Sequence, residues 1–555
     1  MGNELMNGID FSEKGCDHST ATKKQRHPAR HGRLLLSACI ALTIAGCTTV
    51  GPDYQPPKAA RMDNWVEIEG GAVNTAPADL RNWWKVFNDP TLDLLVEKAL
   101  DQNLSLQVAG LRIIQARAQL GIVRGMLYPQ SQTAGGSATR QRISENSPNF
   151  SPGAEKSFAN YQAGFDAAWE VDFWGRYRRG LEAADANLAS SVAAYQQGMV
   201  SLTAEVASTY IAIRTFEERI RLAENNVTLQ KKSLNIAQVR FQNGATTELD
   251  VQQAKSNLAN TQALIPTLVR DLRQARHSLA ILLGMVPGEV DQLLGPPGNI
   301  PVAPIETAIG IPAELLRRRP DVRQAELAAA MESARIGIKE ADLYPSFSLF
   351  GSIGLQTSDT GNSDLSDITS SDSITYSIGP GFTWNIFNYG RLKNSVRAQD
   401  AAFQQQLINY QNTVLKAYQE TEDAIVGFLE SQKEARYRAE SAKAAQRSTR
   451  LASVQYREGA VDFQRVVDSE RTLVNQQDLE TTARGSIALH LVATYKALGG
   501  GWETEKNRPL IPDSVQDAMR KRTDWGEVLP ATGIPDGQRL PAAAKDQPLF
   551  PPLDR

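Results

Sequence analysis

The stretch WEVDFWGRYRR, residues 169–179, recurs as WNIFNYGRLKN at 384–394, which is 384 − 169 = 215 residues later. Two further stretches repeat at nearly the same distance: GIVRGMLYPQ (121–130) returns as GIKEADLYPS (337–346), and VRFQNGATTELDV (239–251) returns as VQYREGAVDFQRV (454–466). Three landmarks that share nearly one offset indicate an internal repeat, which has to be recognised before any fold is assigned. We infer a tandem duplication of a unit of about 215 residues.

Each unit shows the same order of elements: a helix, two strands, a very long helix, a sharp turn and a return helix. The first unit is predicted at 47–295, with its strand pair at 130–174, its long helix at 175–243 and its return helix at 247–284. The second is predicted at 296–500, with a helix at 313–343, a strand pair at 345–388, a long helix at 389–457 and a return helix at 462–498. The proline-rich tail at 501–555 is predicted to be extended or disordered.

The predicted strands alternate apolar and polar side chains. Residues 161–173 carry apolar, mostly aromatic or alanine, side chains at odd positions and polar ones at most even positions, and 374–386 repeats the pattern. This alternation is typical of membrane strands, which run about 9–11 residues. Because the smallest known barrels of this kind use about eight strands, four cannot close one, and several chains must combine. The alternative is a pair of amphipathic hairpins packed on a soluble core.

The helices that follow each strand pair are very long. Residues 175–242 and 390–457 contain no proline and few glycines. At 1.5 Å per residue, about 67 residues span about 100 Å. This length suits a conduit that stands off a membrane, and a plain coiled-coil rod is the alternative. The strand pairs at the helix ends favour the conduit.

The N-terminus is typical of a bacterial export signal. Five basic residues between 23 and 33 precede the apolar run LLLSACIALTIAG (34–46), which is too short to span a bilayer. The sequence Ile44-Ala45-Gly46-Cys47 resembles a lipobox, which implies cleavage after residue 46 and lipidation of Cys47. By the same resemblance, Thr48 in place of aspartate after the cysteine implies delivery to the outer membrane. The other two cysteines, Cys16 and Cys39, precede the cleavage point, so no disulfide within the mature chain is predicted. An ordinary signal peptide with an incidental cysteine is the alternative.

Composition and motifs argue against nucleic-acid binding and catalysis. The formal net charge is −3, close to neutral, whereas nucleic-acid partners are usually bound by basic patches. The chain has five histidines, and outside the signal region His277 and His490 each stand alone. There is no HExxH, GxSxG or GxxxxGK[ST] motif. We therefore predict no catalytic site, no cofactor and no metal.

Several segments resemble the outer-membrane efflux proteins: NWWKVFNDPTLDLLVEKALDQN (82–103), RRRPDVRQAE (317–326) and YKALGGGW (495–502). The segment that begins at Cys47, CTTVGPDYQPP, resembles the lipoprotein branch of that family, the TolC/OprM/NodT-like channels. The resemblance implies a mainly helical protomer with a long α-helical barrel, and four strands per chain that join a trimeric twelve-stranded outer-membrane barrel. It also implies a lipid anchor, with the helical part in the periplasm.

The same resemblance implies a passive exit duct for small molecules such as drugs. The duct would be a homotrimer and would work in a tripartite pump with a periplasmic adaptor and an inner-membrane transporter, usually of the resistance–nodulation–division class. The exit duct of a one-step (type I) protein-secretion system is an alternative within the same class. A non-channel structural lipoprotein is the alternative from another class, and a periplasmic enzyme is disfavoured by the absence of a catalytic set.

The turns after the long helices are the predicted tips. Glycine provides the helix stop in Gly244-Ala245-Thr246 and in Gly459-Ala460-Val461. The family resemblance implies that these six residues meet the adaptor.

The resemblance also places a periplasmic gate just beyond the tips, at Asp468. Gln464 and Arg465 lie on the same helical face, and three Asp468 side chains would form a narrow acidic ring that attracts cations. Asp250 is the first-half counterpart of Arg465 at the 215-residue offset, which suggests an Asp250–Arg465 link that holds neighbouring hairpins shut. Solvated helix charges are the alternative for both residues.

Overall fold

The structure is a computed structural model that describes residues 49–529, except for 58–61, 68–72, 75, 77–78, 147, 149–150, 154, 305, 311, 313–317 and 504–507. The predicted signal segment and Cys47 lie outside the described residues, as does 530–555.

Eight main helices follow the predicted order within the described part of the chain. They are α1 (Pro90–Gln102), α2 (Leu104–Gly125), α3 (Arg176–Gln242), α4 (Glu248–Leu282), α5 (Pro320–Ala341), α6 (Arg391–Arg457), α7 (Phe463–Ala497) and α8 (Asp513–Arg522). Shorter helical turns occupy Trp83–Phe87, Val290–Leu294, Leu365–Thr369, Ser371–Ser373 and Gly526–Val528. No helix among the described residues has both the length and the apolar character needed to cross a bilayer.

The helix expected at 313–343 is interrupted at Arg319, and 313–317 lie outside the described residues. Arg319 has an extended backbone, with φ −69° and ψ 117°, and Pro320 is the first residue of α5. The cause is local, because the ring of a proline disfavours helical geometry in the residue before it. Arg319 is buried, and its guanidinium is paired with Asp321 at 2.6 Å and with Glu420 at 2.6 Å. The break therefore places a buried cation between α5 and α6.

The strands of both halves form one antiparallel sheet. Its strands are β1 (Ser131–Arg142), β2 (Ser157–Val171), β3 (Ser346–Ser358) and β4 (Ile374–Thr383), in the order β1-β2-β3-β4. Two-residue strands at Val73–Asn74 and Thr307–Ala308 form a separate parallel pair. In the main sheet, Phe165 of β2 lies opposite Ile353 of β3, and Ile353 lies opposite Tyr376 of β4. One face of the sheet is thus a continuous apolar surface, and these three side chains are exposed.

The main core lies where α1, α3 and α7 meet. It includes Trp83, Leu92, Tyr210 and Leu491, all nearly or completely inaccessible to solvent. The Trp83 ring stacks on that of Tyr495 with centroids 5.3 Å apart. Burial of large apolar side chains of this kind contributes about 1.5–3 kcal/mol each.

The C-terminal segment differs from the prediction. Residues 508–529, expected to be extended or disordered, contain the helix α8 and pack on the main core. Leu510, Ile511 and Met519 are buried there, and a Cβ added to Gly110 of α2 would lie 2.2 Å from the Leu510 carbonyl oxygen. The proline and charge content obscured these few apolar positions, which are enough to hold the segment in place.

Candidate gate at the helical tips

The two long helices end in the same turn. Gly244 has φ +74° and Gly459 has φ +80°, a conformation that favours glycine. In the first turn, the Ala245 N–H donates to the Arg240 carbonyl, and in the second the Ala460 N–H donates to the Gln455 carbonyl, both at 2.8 Å. With the matching Gly244 and Gly459 bonds, each turn is a Schellman motif, which satisfies the last carbonyls of the helix.

A small apolar cluster, separate from the main core, holds the two hairpins together next to the tips. Its buried members come from all four long helices: Ala237, Val251, Ala254, Tyr456, Phe463, Val466 and Val467. The rings of Tyr456 and Phe463 lie 5.0 Å apart. We call this group the tip cluster. It fixes the spacing of α3, α4, α6 and α7 where the polar residues of the candidate gate lie.

Tyr456 is at the centre of a polar network at the edge of the tip cluster. Its hydroxyl donates to the Asp250 carboxylate at 3.0 Å, and the Thr246 hydroxyl donates to the same carboxylate oxygen. The Arg240 guanidinium lies 4.6 Å from the Tyr456 ring centroid and donates to the Tyr456 carbonyl. Burial, and then the hydrogen bond to Asp250, raise the pKa of Tyr456 to about 12. The hydroxyl therefore remains a donor at physiological pH. We call these four residues the tip lock.

The predicted gate residues of α7 lie on one exposed face. Gln464, Arg465 and Asp468 are exposed, whereas Phe463, Val466 and Val467 on the opposite face are buried. The Gln464 amide donates to the Asp468 carboxylate at 2.8 Å.

The suggested Asp250–Arg465 link is not formed within the single chain. Among the described residues, Asp250 is bonded by the hydroxyls of Thr246 and Tyr456, and no ion pair joins it to Arg465. The physical reason is that Asp250, on α4, faces α6, whereas Arg465 is on the solvent side of α7. Asp250 lies next to Tyr456, a member of the tip cluster, whereas Arg465 lies on the exposed face.

A buried carboxylate lies one turn further from the tips. Glu470 accepts hydrogen bonds from the Ser233 hydroxyl and, at 2.9 Å, from the Asn257 amide. The Arg471 guanidinium donates to the Asn257 amide oxygen at 3.3 Å and so orients that amide. Burial raises the pKa of Glu470 above its usual value, although both donors favour the charged form. This group ties α7 to both α3 and α4.

Three tryptophans fasten the strand ends to the helices. The indole of Trp169 donates to the Leu127 carbonyl at 3.3 Å, that of Trp174 to Pro345 at 2.8 Å and that of Trp384 to Leu343 at 3.0 Å. All three acceptors lie in the two LYP motifs, at 127–129 and 343–345. The repeated LYP and tryptophan landmarks are thus parts of one recurring junction between helix and strand.

The described chain begins at that junction. The Val50 N–H donates to the Trp174 carbonyl at 3.0 Å, and the buried Arg179 guanidinium donates to the Val50 carbonyl at 3.1 Å. Arg179 also pairs with Asp53 at 3.2 Å. Gly175 leaves room for Thr49, whose Cγ2 lies 2.5 Å from the place of a Cβ on that glycine. The segment that follows Cys47 in the sequence is therefore held firmly against the strand–helix junction.

The family model described as Outer membrane efflux protein matches residues 95–285 and 311–500, one match in each half of the chain. The chain belongs to this family. Its two matches coincide with the two copies of the repeat that the sequence contains.

Other members of the outer membrane efflux protein family resemble the chain over most of its length. "Pyoverdine export outer membrane protein OpmQ" of Pseudomonas putida is 30% identical, covering 84% of this chain and 97% of the relative. "Probable outer membrane lipoprotein SilC" of Salmonella typhimurium is 28% identical, covering 84% and 98%. Among solved structures, the outer-membrane channel OprN is 34% identical, with a TM-score of 0.76 over 82% of this chain and 99% of that one. The predicted fold class is confirmed.

Sequence reasoning missed Tyr456 and Arg240 of the tip lock. A signal was present in the repeat itself, because the counterparts of these residues at the 215-residue offset are Phe241 and Gln455. A position where the two copies differ in polar chemistry, inside an otherwise repeated turn, is where a contact between the copies can form.

Proposed function

We propose that the chain is the exit duct of a tripartite efflux pump, through which small molecules, drugs among them, pass the outer membrane. Family membership and likeness to a channel of known structure support this role. The structural observation that carries it is the pairing of a sheet with an exposed apolar face and long helical hairpins that end in a polar lock. The exposed apolar face of the sheet suits contact with membrane lipid, and the polar lock at the hairpin ends suits a conduit that opens and closes.

The duct needs three chains. Four strands are too few to close a channel wall on their own, and three copies supply twelve. The edge strands β1 and β4 present unpaired backbone groups, which in a membrane have to be satisfied by another strand. We propose a homotrimer in which each chain supplies one third of the wall.

The helical part would project into the periplasm and meet the other pump components there. Gly244, Ala245, Thr246, Gly459, Ala460 and Val461 would contact the adaptor, because they form the outermost turns of the hairpins. The inner-membrane transporter, of the resistance–nodulation–division class, would supply the energy. Lipidation of Cys47 would anchor the chain beside the junction to which Thr49 and Val50 are bound.

The gate would combine the tip lock with a charged ring. Tyr456 and Asp250 would hold the two hairpins of one chain together, and Asp468, exposed on α7, would face the axis together with Gln464 and Arg465. Three carboxylates around a narrow opening attract cations and repel anions. We expect Asp468→Ala to raise the conductance and lower the cation preference, whereas an unchanged conductance would remove Asp468 from the gate.

Single-channel recording in planar bilayers, with the oligomeric mass measured on the same preparation, tests the proposal. A trimer with small, cation-selective openings supports the duct and the acidic constriction together. A monomer without conductance would refute the duct and favour the structural lipoprotein. A conducting trimer that restores protein secretion but not drug resistance to a duct-deficient strain would instead identify a secretion duct.

A further inference from the structure

The two junctions between strand and long helix repeat in sequence but differ in charge. The first junction, 170–182, ends β2 and begins α3, and the second junction, 385–397, follows β4 and begins α6 after an offset of 385 − 170 = 215. The first contains three carboxylates and three guanidiniums. The second contains no carboxylate, and its bases are Arg391, Lys393 and Arg397. One copy of the junction is therefore neutral, and the other carries three positive charges.

Arg176, the first residue of α3, is neutralised by two carboxylates. Its guanidinium lies 3.6 Å from a carboxylate oxygen of Glu170, at the end of β2, and 3.7 Å from one of Asp342, just after α5. The other two guanidiniums of the first junction are also paired with its carboxylates. The first junction thus has a partner for each of its cations.

Arg391, the first residue of α6, lacks the partners of its equivalent in α3. At the 215-residue offset, Asn385 takes the place of Glu170. At the offset of 337 − 121 = 216 that relates the two LYP segments, Met126 takes the place of Asp342. No carboxylate therefore stands at either position, whichever chain supplies it. Among the described residues, the exposed Arg391 guanidinium makes neither an ion pair nor a hydrogen bond.

Arg391 lines a cavity of about 300 Å³ on one side of the sheet. Ser346 and Thr383 lie opposite each other in the sheet and line the same cavity. Because successive residues of a strand point to opposite faces, these two side chains lie on the face that does not carry Ile353 and Tyr376. In a membrane barrel the apolar face contacts lipid and the other face lines the interior. The cavity therefore faces the tunnel of the proposed duct.

Neutral hydrogen-bond donors line the cavity together with this guanidinium. The side-chain amide of Asn385 and the hydroxyl of Thr383 both line it, and neither makes a hydrogen bond within the described part of the chain. A guanidinium presents a planar fork of N–H groups that matches the two oxygens of a carboxylate. The cavity thus combines a cation without a protein partner and two free neutral donors, which is a set of groups suited to a carboxylate.

We propose that Arg391 is a cargo-binding residue on the tunnel wall and that it favours small molecules that carry a carboxylate. The inference rests on the trimeric duct of the proposed function, in which three copies bring three such guanidiniums to the level where helices meet strands. Arg391 begins α6, and Asp468 lies beyond the turn at which this 67-residue helix ends, so about 100 Å of helix separates them. The two ends of the helical tunnel then differ in sign, with the acidic ring at the tips and basic positions at the sheet.

Block of the single-channel current by citrate tests the proposal, because a tricarboxylate held in the tunnel interrupts the flow of ions. Citrate is added to the compartment opposite the helical part, so that it reaches Arg391 before Asp468. Arg391→Gln should raise the half-blocking concentration about tenfold, since a hydrogen bond between two charged groups is lost. Triethyl citrate, which has the same carbon skeleton without the charges, should act on the parent and on the variant alike.

A neighbouring base supplies the matched control. Lys393→Gln removes the same charge two residues further along α6, at an exposed position that does not line the cavity. It should leave the half-blocking concentration of citrate largely unchanged. An equal loss of block in Lys393→Gln and Arg391→Gln would assign the effect to the general charge of the helix end and would overturn the proposal.

Exchange of chemistry between the two junctions gives a second test that keeps the arginine. Asn385→Glu supplies Arg391 with the partner that Arg176 has in Glu170, and it should weaken the block as Arg391→Gln does. The converse variant, Glu170→Asn/Asp342→Met, removes both carboxylates from Arg176 and should lower the half-blocking concentration, because it creates a second free guanidinium on the same cavity.

The outcomes separate this inference from the proposed function. A conducting trimer that citrate does not block, or blocks equally with and without Arg391, would overturn the inference and leave the duct intact. Protein that forms no conducting trimer would refute the duct, and with it the tunnel wall on which Arg391 is placed.

Discussion

The two helical tips share one backbone conformation but differ in the chemistry of their side chains. Both end in a glycine with positive φ and in the same pair of hydrogen bonds. Yet the first tip carries Arg240, Thr246 and Asp250, whereas the same positions of the second tip, 215 residues later, are Gln455, Val461 and Arg465. A duplication produces two copies of the same fold, but a hydrogen bond between the copies needs a donor in one and an acceptor in the other. The difference between the tips is therefore where we expect the control of opening.

The largest effect should come from the first tip. Asp250→Ala removes the acceptor of the Tyr456 and Thr246 hydroxyls. Because a hydrogen bond to a charged group contributes about 1.5–3 kcal/mol, we expect the open fraction of single channels to rise about ten- to hundredfold. Glu458→Ala, on an exposed residue of the second tip, is the control and should change the open fraction little. Equal effects would show that the two tips do not differ in function.

A smaller effect should follow when the second tip is made chemically like the first. Tyr456→Phe introduces the residue of its counterpart, Phe241, and keeps the ring on Arg240. The loss of one hydrogen bond to a carboxylate, about 1.5 kcal/mol, should raise the open fraction about tenfold in bilayer recordings.

The pH dependence of the Tyr456→Phe effect checks its cause. Since the pKa of Tyr456 is raised to about 12, the hydroxyl stays protonated in both recordings, and the increase should be the same at pH 6 and at pH 9. Phe241→Tyr adds a hydroxyl at the exposed counterpart and should have no effect.

Because the two turns share one backbone conformation, we expect a glycine-to-alanine substitution to destabilise both equally. Gly244→Ala and Gly459→Ala both place a Cβ on a residue with positive φ, which costs about 1 kcal/mol of unfolding free energy. Little lies close to either Cβ position, the nearest atom to Gly459 being a guanidinium nitrogen of Arg240 at 3.8 Å. Thermal unfolding in detergent should therefore give similar shifts. A clearly larger loss at Gly459 would mean that Arg240 adds strain at the second turn.

The smallest effect concerns the buried Glu470, which ties the second hairpin to the first. Its pKa is raised above 4.5, so the native state holds the proton more tightly than the unfolded state. Stability should then fall as the pH rises from 4.5 through the raised pKa. Glu470→Gln cannot ionise and should flatten this fall in thermal unfolding, whereas Glu458→Gln, on an exposed residue, should not. A parent protein whose stability rises with pH over this range would contradict the argument.

The sequence predicts the fold class well because repeats and periodicity are local signals. The long helices are marked by the absence of proline, and the strands by alternation such as that of 161–173. The tip lock could not be read this way, because the Tyr456–Asp250 contact joins residues 206 positions apart. The packing of Leu510 and Ile511 was also hidden, since two apolar residues in a polar segment have no periodicity. The Asp250–Arg465 link is not formed within one chain, because the repeat offset predicts equivalent positions and not contacts.

The C-terminal segment has a consequence for the order in which the protein can be completed. Leu510, Ile511 and Met519 belong to the same core as Trp83 and Leu92, which lie more than four hundred positions earlier in the chain. A ribosome makes Leu92 long before Leu510, so this core stays incomplete until the later segment has been synthesised. Truncation shortly after Trp502 would therefore remove part of the main core and leave the chain unable to complete its folding.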